Sequence, residues 1–204
     1  EKAYDTTWKH GSLQDLFKAG LRGHLPKFIA HFLPDRTFRV CSGSSLSDWF
    51  TQEVGVPQRS ILSVTLFGLR VNGIAQSTNP NVQCFLFVDD FCICCRAYNV
   101  NQAEQLLQQC IDSVQRWREL NGFRFSPTKS QSILFRRARA KPREPVITLN
   151  GTQIPVVTTI KFLGVTFDHK LSFQAHINNL KTKCFQTFNL LKIVSSYDWG
   201  GDQT

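Results

Sequence analysis

Helical and strand spacings of apolar residues alternate along the chain. Leu13, Leu16 and Phe17 lie at helical spacing and stop at Gly20, which predicts a helix over 11–19. Pro26 opens a second short helix carrying Phe28, Ile29, Phe32 and Leu33. Residues 36–41 and 46–52 read as two strands around a Ser42-Gly43 turn. Gly55-Val56-Pro57-Gln58 is a loop, and Ser60 caps a helix to about Ala75 that buries Ile61, Leu62, Thr65, Leu66 and Leu69. The clearest helix spans 102–120, with Asn101 as its N-cap and Glu104 three residues on. Its stripe is Ala103, Leu106, Leu107, Cys110, Ile111, Val114 and Trp117, and Asn121-Gly122 ends it. Residues 123–125 and 132–135 are short strand candidates around Pro127-Thr128-Lys129. Asn150-Gly151 joins two more strands, 146–149 and 153–157. Residues 161–167 form another strand. Phe173, Ile177, Leu180, Cys184, Phe188 and Leu191 then mark a final amphipathic helix with Lys181, Lys183 and Lys192 on it. There is no internal repeat and no low-complexity segment. The fold class is α/β (α+β): a small antiparallel sheet covered by helices on one face, followed by a helical extension.

Within that frame two adjacent carboxylates stand out. Asp89 and Asp90 sit between the apolar runs 84–88 and 91–95, which predicts a hairpin with both acids at its tip. Two neighbouring negative charges repel, and a hard divalent cation with oxygen ligands relieves the repulsion. A site of that kind suits phosphoryl or nucleotidyl transfer. The plain alternative is a solvated Asp-Asp turn.

Charge narrows the partners. The 204 residues carry 24 Lys and Arg against 15 Asp and Glu, a formal net charge of +9. Such an excess favours an anionic partner, above all nucleic acid; a basic, merely soluble surface is the alternative. The seven cysteines are odd in number and irregular in spacing, so they read as reduced thiols used as small apolar side chains. A zinc module built on Cys92, Cys94, Cys95 and a distant His is a rival use of them. No apolar run is long enough to span a membrane, and no secretion signal is present. The protein is therefore expected inside the cell, in nucleus and cytoplasm. The chain has no Met and begins Glu1-Lys2-Ala3-Tyr4-Asp5, and it reads as a fragment.

Several segments in this order resemble the reverse transcriptase of non-LTR retrotransposons, most closely the jockey-like group. Residues 1–8, EKAYDTTW, resemble the end of motif A. Residues 55–63, GVPQRSILS, resemble motif B, whose usual form is G-x-P-Q-G-S-x-L-S-P. Phe87-Val88-Asp89-Asp90 resembles motif C, usually [FY]-A-D-D. Asn121-Gly122-Phe123 through Lys129 to Phe135 resembles motif D, and residues 161–165, KFLGV, with Asp168, resemble motif E, the primer grip. His176 and the lysine-rich helix around it resemble the start of the thumb. The resemblance covers nearly the whole chain. Each motif alone is weak; the ordered set is specific.

The resemblance implies a right-hand polymerase. The palm would occupy 1–145, and the primer-grip hairpin and early thumb 146–204, with the fingers missing. Its activity would be RNA-directed DNA polymerisation, transferring nucleotides from dNTPs to a primer 3′-OH. Two Mg²⁺ ions would bind Asp89 and Asp90. Lys129 would donate a proton to pyrophosphate. Tyr4 would lie under the incoming sugar, where an amphipathic core tyrosine is the alternative. Gln58 would lie near the incoming nucleotide. Phe162, Leu163 and Gly164 would form the primer grip. Arg136, Arg137, Arg139, Lys141 and Arg143 would make a phosphate-facing connector. The partners would be RNA template, DNA primer and further domains of a parent polyprotein, with no membrane.

Three departures stand against a fully active copy. Arg59 replaces the motif B glycine, Val64 replaces a proline, and Val88 replaces the motif C alanine. The metal-binding Asp of motif A falls two positions before Glu1. A truncated or degenerate copy, inactive by itself, is therefore expected. A non-catalytic nucleic-acid-binding remnant of the same fold is the alternative.

Overall fold

The computed structural model describes residues 9–53, 55–57, 60–136 and 143–195. They form two compact units. One holds the described residues up to Lys129 together with Val146–Gln153; the other holds Ser130–Pro145 and the chain from Ile154 onward.

The first unit begins with helices α1 (Lys9–Lys18) and α2 (His24–Phe32). A hairpin follows, made of β1 (Thr37–Phe38), β2 (Cys41–Ser42), β3 (Ser45–Leu46) and β4 (Phe50–Thr51). Its inner ladder pairs β2 with β3 and its outer ladder pairs β1 with β4. Helix α3 spans Ile61–Gln76 and starts after Ser60 as expected, but the Ser60 side chain makes no capping hydrogen bond, and of the residues expected in the core Leu66 is buried while Ile61 and Thr65 are exposed. The central hairpin is β5 (Val82–Phe87) and β6 (Asp90–Cys95), and α4 runs from Val100 to Asn121. A 3₁₀ turn at Pro127–Lys129 and a hairpin of β7 (Thr148–Leu149) and β8 (Thr152–Gln153) complete the unit.

Helix α3 is the spine of this unit. Its buried positions are Ser63, Leu66, Phe67, Arg70, Val71 and Ile74, a helical repeat of three and four. Phe67, Val71 and Ile74 enter a core with Val82, Cys110 and Val114, against which Phe91, Ile93 and Cys95 of β6 also pack. Leu66 enters a second core with Leu16, Ile29, Leu33 and Val56. Both α3 and α4 thus cover one face of the β5–β6 hairpin, as the strand and helix patterns predict. Gly73 permits this approach. A Cβ there would lie 3.0 Å from Nε1 of Trp117, whose indole stacks on Phe123 at 5.3 Å.

Helix α4 starts two residues earlier than expected. Asn99, not Asn101, is the N-cap, and its side chain accepts the Gln102 backbone N–H at 2.9 Å. Glu104 does not close a capping box; it accepts the N–H of Val146. One turn on, the Gln108 amide oxygen accepts the Thr148 N–H at 2.9 Å while its nitrogen donates to the Thr148 carbonyl at 3.1 Å. The carboxamide acts as a surrogate strand and holds β7 on α4. At the far end Gly122 adopts φ 73°, the left-handed conformation that ends a helix.

In the second unit Ser132 bridges Val156, and β9 (Thr159–Phe162) pairs with β10 (Val165–Asp168). Helix α5 covers Gln174–Val194. Two expectations need correction here. Residues 161–167 are not one strand, because Leu163 and Gly164 turn the chain back with φ 48° and 85°. Nor do 123–125 and 132–135 form strands. Phe123 and Phe125 are instead spent on ring packing against the first core, and Ser132 makes a single bridge. The apolar stripe on α5 is regular, yet none of its residues is buried.

Candidate functional site

The two carboxylates lie where the β5–β6 ladder closes. Phe87 pairs with Asp90, which leaves Val88 and Asp89 as a two-residue turn. Val88 has φ 54°, a positive angle that glycine adopts at least cost. Alternation along the strands sorts the side chains. Val82, Phe91, Ile93 and Cys95 pack toward α3 and α4. Phe85, Phe87, Asp90 and Cys92 therefore project from the opposite face. Phe85 and Phe87 remain 50% and 59% exposed there. Among the described residues neither Asp89 nor Asp90 forms an ion pair, and no group of three or more His, Cys, Asp or Glu could hold a metal ion. The site therefore offers two exposed carboxylates with free oxygens. That donor chemistry fits a hard divalent cation, with further ligands to come from elsewhere.

The same absence of a ligand group applies to the cysteines. Cys92, Cys94 and Cys95 are free thiols, and burial first, then neighbouring cysteines, pushes their pKa up. Burial also lifts Cys110 to about 11. Thiols held protonated in this way pack as small apolar side chains.

Lys129 ends the 3₁₀ turn and is exposed. Four residues before it, the Phe125 ring stacks on Phe91 at 6.4 Å. Phe91 directly follows Asp90, so this contact ties the Lys129 segment to the carboxylate hairpin. Sequence reading missed that pair; its only signal was two aromatics within otherwise unremarkable short runs.

The expected primer-grip residues form the tip of the β9–β10 hairpin. Phe162 pairs with Val165, and Leu163-Gly164 is a two-residue turn with both φ positive. Glycine at 164 serves that backbone angle. A Cβ there would meet no atom within 4 Å. Asp168 then anchors the start of α5. Its carboxylate accepts backbone N–H groups from Phe173 at 2.8 Å, Lys170 at 3.1 Å and Ser172 at 3.2 Å. Desolvation works to raise its pKa, but these donors outweigh it and hold the carboxyl below its ordinary value. His176 adds a second tie, its Nδ1 accepting the Thr166 N–H at 3.4 Å.

Arg136 donates its backbone N–H to the His169 carbonyl, and Arg143 is exposed. Tyr4, Gln58, Arg59, Arg137, Arg139 and Lys141 lie outside the described residues. The first unit thus brings together Asp89, Asp90 and the Lys129 segment, while the second carries Phe162, Leu163, Gly164, Arg136 and Arg143.

Comparison with known proteins bears on this arrangement. Residues 1–167 match the family described as reverse transcriptase (RNA-dependent DNA polymerase). The chain is 28% identical over 193 residues to the RNA-directed DNA polymerase from mobile element jockey of Drosophila melanogaster, covering 92% of this chain and 21% of that protein. The corresponding protein of Drosophila funebris is 27% identical over 89% of this chain and 20% of its own length. The probable RNA-directed DNA polymerase from transposon X-element of Drosophila melanogaster is 26% identical, over 89% and 20%. The chain spans about a fifth of the length of these relatives.

Proposed function

Since the chain belongs to the reverse transcriptase (RNA-dependent DNA polymerase) family, we propose that it is the palm and early thumb of a jockey-like non-LTR retrotransposon polymerase, with Asp89 and Asp90 as its metal-binding carboxylates. Reverse transcriptases as a family use divalent metal ions and bind nucleic acid. The observation that carries the finer reading is the pair of exposed, unpaired carboxylates at the closed end of the β5–β6 hairpin. Adjacent anions are placed at such a tip at an electrostatic cost, and a cation offsets it.

The residues have distinct tasks in this reading. Asp89 and Asp90 hold two Mg²⁺ ions with the aid of a motif A aspartate. Such ions would supply the Lewis acidity that activates a primer 3′-OH and the charge that neutralises a triphosphate. Gln58 and Tyr4 position the dNTP, and the Tyr4 ring excludes a ribose 2′-OH. Lys129 protonates the leaving pyrophosphate. Phe162, Leu163 and Gly164 support the DNA primer end, and the connector cations Arg136, Arg137, Arg139, Lys141 and Arg143 meet template or primer phosphates. The palm corresponds to 1–145 and the primer grip with early thumb to 146–204, within a longer polyprotein acting in nucleus and cytoplasm.

The test uses a longer polypeptide that includes fingers and the motif A aspartate. Asp89→Asn and Asp90→Asn should each reduce Mg²⁺-dependent dNTP incorporation at least about 1,000-fold, the scale of a lost metal ligand. Binding of an RNA–DNA template–primer should stay within about twofold, because the basic surface is untouched. Primer extension that survives either substitution would remove these residues from the metal site.

A further inference from the structure

Between the end of α4 and Lys129 the chain is held by rings, not by a strand ladder. Gly122 ends the helix, and residues 123–126 belong to no helix or strand. Phe123 lies flat on Trp117 of α4 at 5.3 Å with 9° between the rings, and meets Phe67 of α3 edge-on at 6.3 Å and 79°. Phe125 stacks on Phe91 of β6 at 6.4 Å and 26°. Each spacing is that of an attractive aromatic pair. Both rings pack against the core of Phe67, Val71, Ile74, Val82, Cys110 and Val114.

Phe123 seats the segment on the helices, and Phe125 seats it on the carboxylate hairpin. One peptide bond separates Phe91 from Asp90, whose place opposite Phe87 the ladder fixes. On the other side, the short run from Phe125 to Lys129 is stiff. Pro127 has a fixed φ. The Lys129 N–H bonds back to the Ser126 carbonyl at 3.2 Å, and the Ser126 and Thr128 hydroxyls share a hydrogen bond of 3.0 Å. The Lys129 side chain is exposed and forms no ion pair among the described residues. Its backbone stands where the turn puts it, and the turn follows Phe125.

A ring that only filled the core would act on stability alone. Phe125 is half-buried at the edge of that core, and its partner ring directly follows a carboxylate of the site. Proton transfer needs its donor within hydrogen-bond reach, and a misplacement of about 1 Å can cost about 100-fold in rate.

We propose that Phe125 is a positioning residue: its ring, stacked on Phe91, sets where Lys129 stands relative to Asp89 and Asp90. This rests on the polymerase reading, in which Lys129 protonates the leaving pyrophosphate.

The test uses the longer polypeptide with fingers and the motif A aspartate. Phe125→Ala should lower kcat for dNTP incorporation about 10- to 100-fold. KM for dNTP and template–primer affinity should stay within about twofold, a split that general loss of structure would not give. Phe125→Tyr, which keeps the ring, should hold kcat within about threefold. Lys129→Ala should cost about 100-fold or more. In that background Phe125→Ala should cost no more than about a further twofold, because residues that act as a unit are not additive. A second readout needs no activity. Amide exchange at Lys129 should quicken about 2- to 12-fold in Phe125→Ala, the weight of one ring pair, and return in Phe125→Tyr. If Phe125→Ala does not fold, Phe125→Leu keeps apolar bulk without the flat ring and should move the same quantities in the same direction. Equal losses from Phe125→Ala with and without Lys129 would overturn the proposal, as would unchanged kcat and exchange. Failure of the polymerase reading registers separately, in primer extension that survives loss of Asp89 or Asp90.

Discussion

Val88 bears the strain of the carboxylate turn. A β-branched side chain at φ 54° crowds its own backbone, at a cost of about 1–2 kcal/mol. Asparagine tolerates that angle, and Val88 is 42% exposed, so little packing is lost on its removal. Val88→Asn should therefore raise stability by about 1 kcal/mol in urea unfolding; a lower midpoint would show that the valine side chain contributes more by contact than it costs by strain. Asp168 is the second residue whose role is local. Its folded pKa is lowered, so the stability it contributes is fully present above its unfolded pKa of about 3.9 and is lost as pH falls through the lower folded value. Hydrogen-exchange protection of residues 170–178 should hold at pH 5 and fall below about pH 4. Asp168→Asn should show weaker protection at pH 5 and no further drop in acid. An unchanged acid transition in that variant would assign the effect to another group.

Among the elements, α3 is tied to its neighbours by more than apolar contact. Arg70 on α3 is 4% exposed and donates to Asp15 of α1 at 2.9 Å and to the Asn121 carbonyl at the end of α4 at 3.3 Å. One guanidinium thus links three helices. Breaking a buried pair from one side leaves a charge without its partner, which costs about 3–5 kcal/mol. Asp15→Leu should destabilise the chain by that order in denaturant unfolding, and the Asp15→Leu/Arg70→Leu double variant should recover at least half of the loss. Additive losses in the double-mutant cycle would mean that the two side chains act independently. Helix α4 shows how element boundaries escape sequence reading. Asn99 and Asn101 are both competent caps, and only the loop from Cys95 decides which one reaches a free N–H. Glu104 reads as the partner of an Asn101 cap, yet it and Gln108 are committed to the backbone of Val146 and Thr148, more than 35 residues away.

The whole molecule carries a net charge of +9 and folds as two units. No helix among the described residues is long and apolar enough to cross a membrane. Helix α5 carries Lys181, Lys183 and Lys192 with no acidic residue, and the connector adds Arg136, Arg137, Arg139, Lys141 and Arg143. Attraction to nucleic acid at this scale comes from counterion release and weakens with salt. Replacing Arg136, Arg137 and Arg139 together by glutamine should reduce the slope of log K against log salt for an RNA–DNA template–primer by about 2–3 units. A slope equal to that of the parent would take the connector off the phosphates.

The sequence alone determined the family, the order of the helices and the hairpin at Asp89-Asp90. Those features rest on local chemistry: alternation of apolar residues, glycine at turns, and short motifs in a set order. The two-residue turns at Asn150-Gly151 and the end of α4 at Gly122 were legible for the same reason. Tertiary structure decided what local chemistry leaves degenerate. Phe123 and Phe125 have strand propensity, but a core with an open place for two rings took them out of any ladder. Which face of β6 carries Asp90 follows from which face α3 and α4 cover, and alternation by itself is symmetric between the two. The Arg39 guanidinium over the Trp49 ring joins residues 10 positions apart, a proximity that no periodicity encodes.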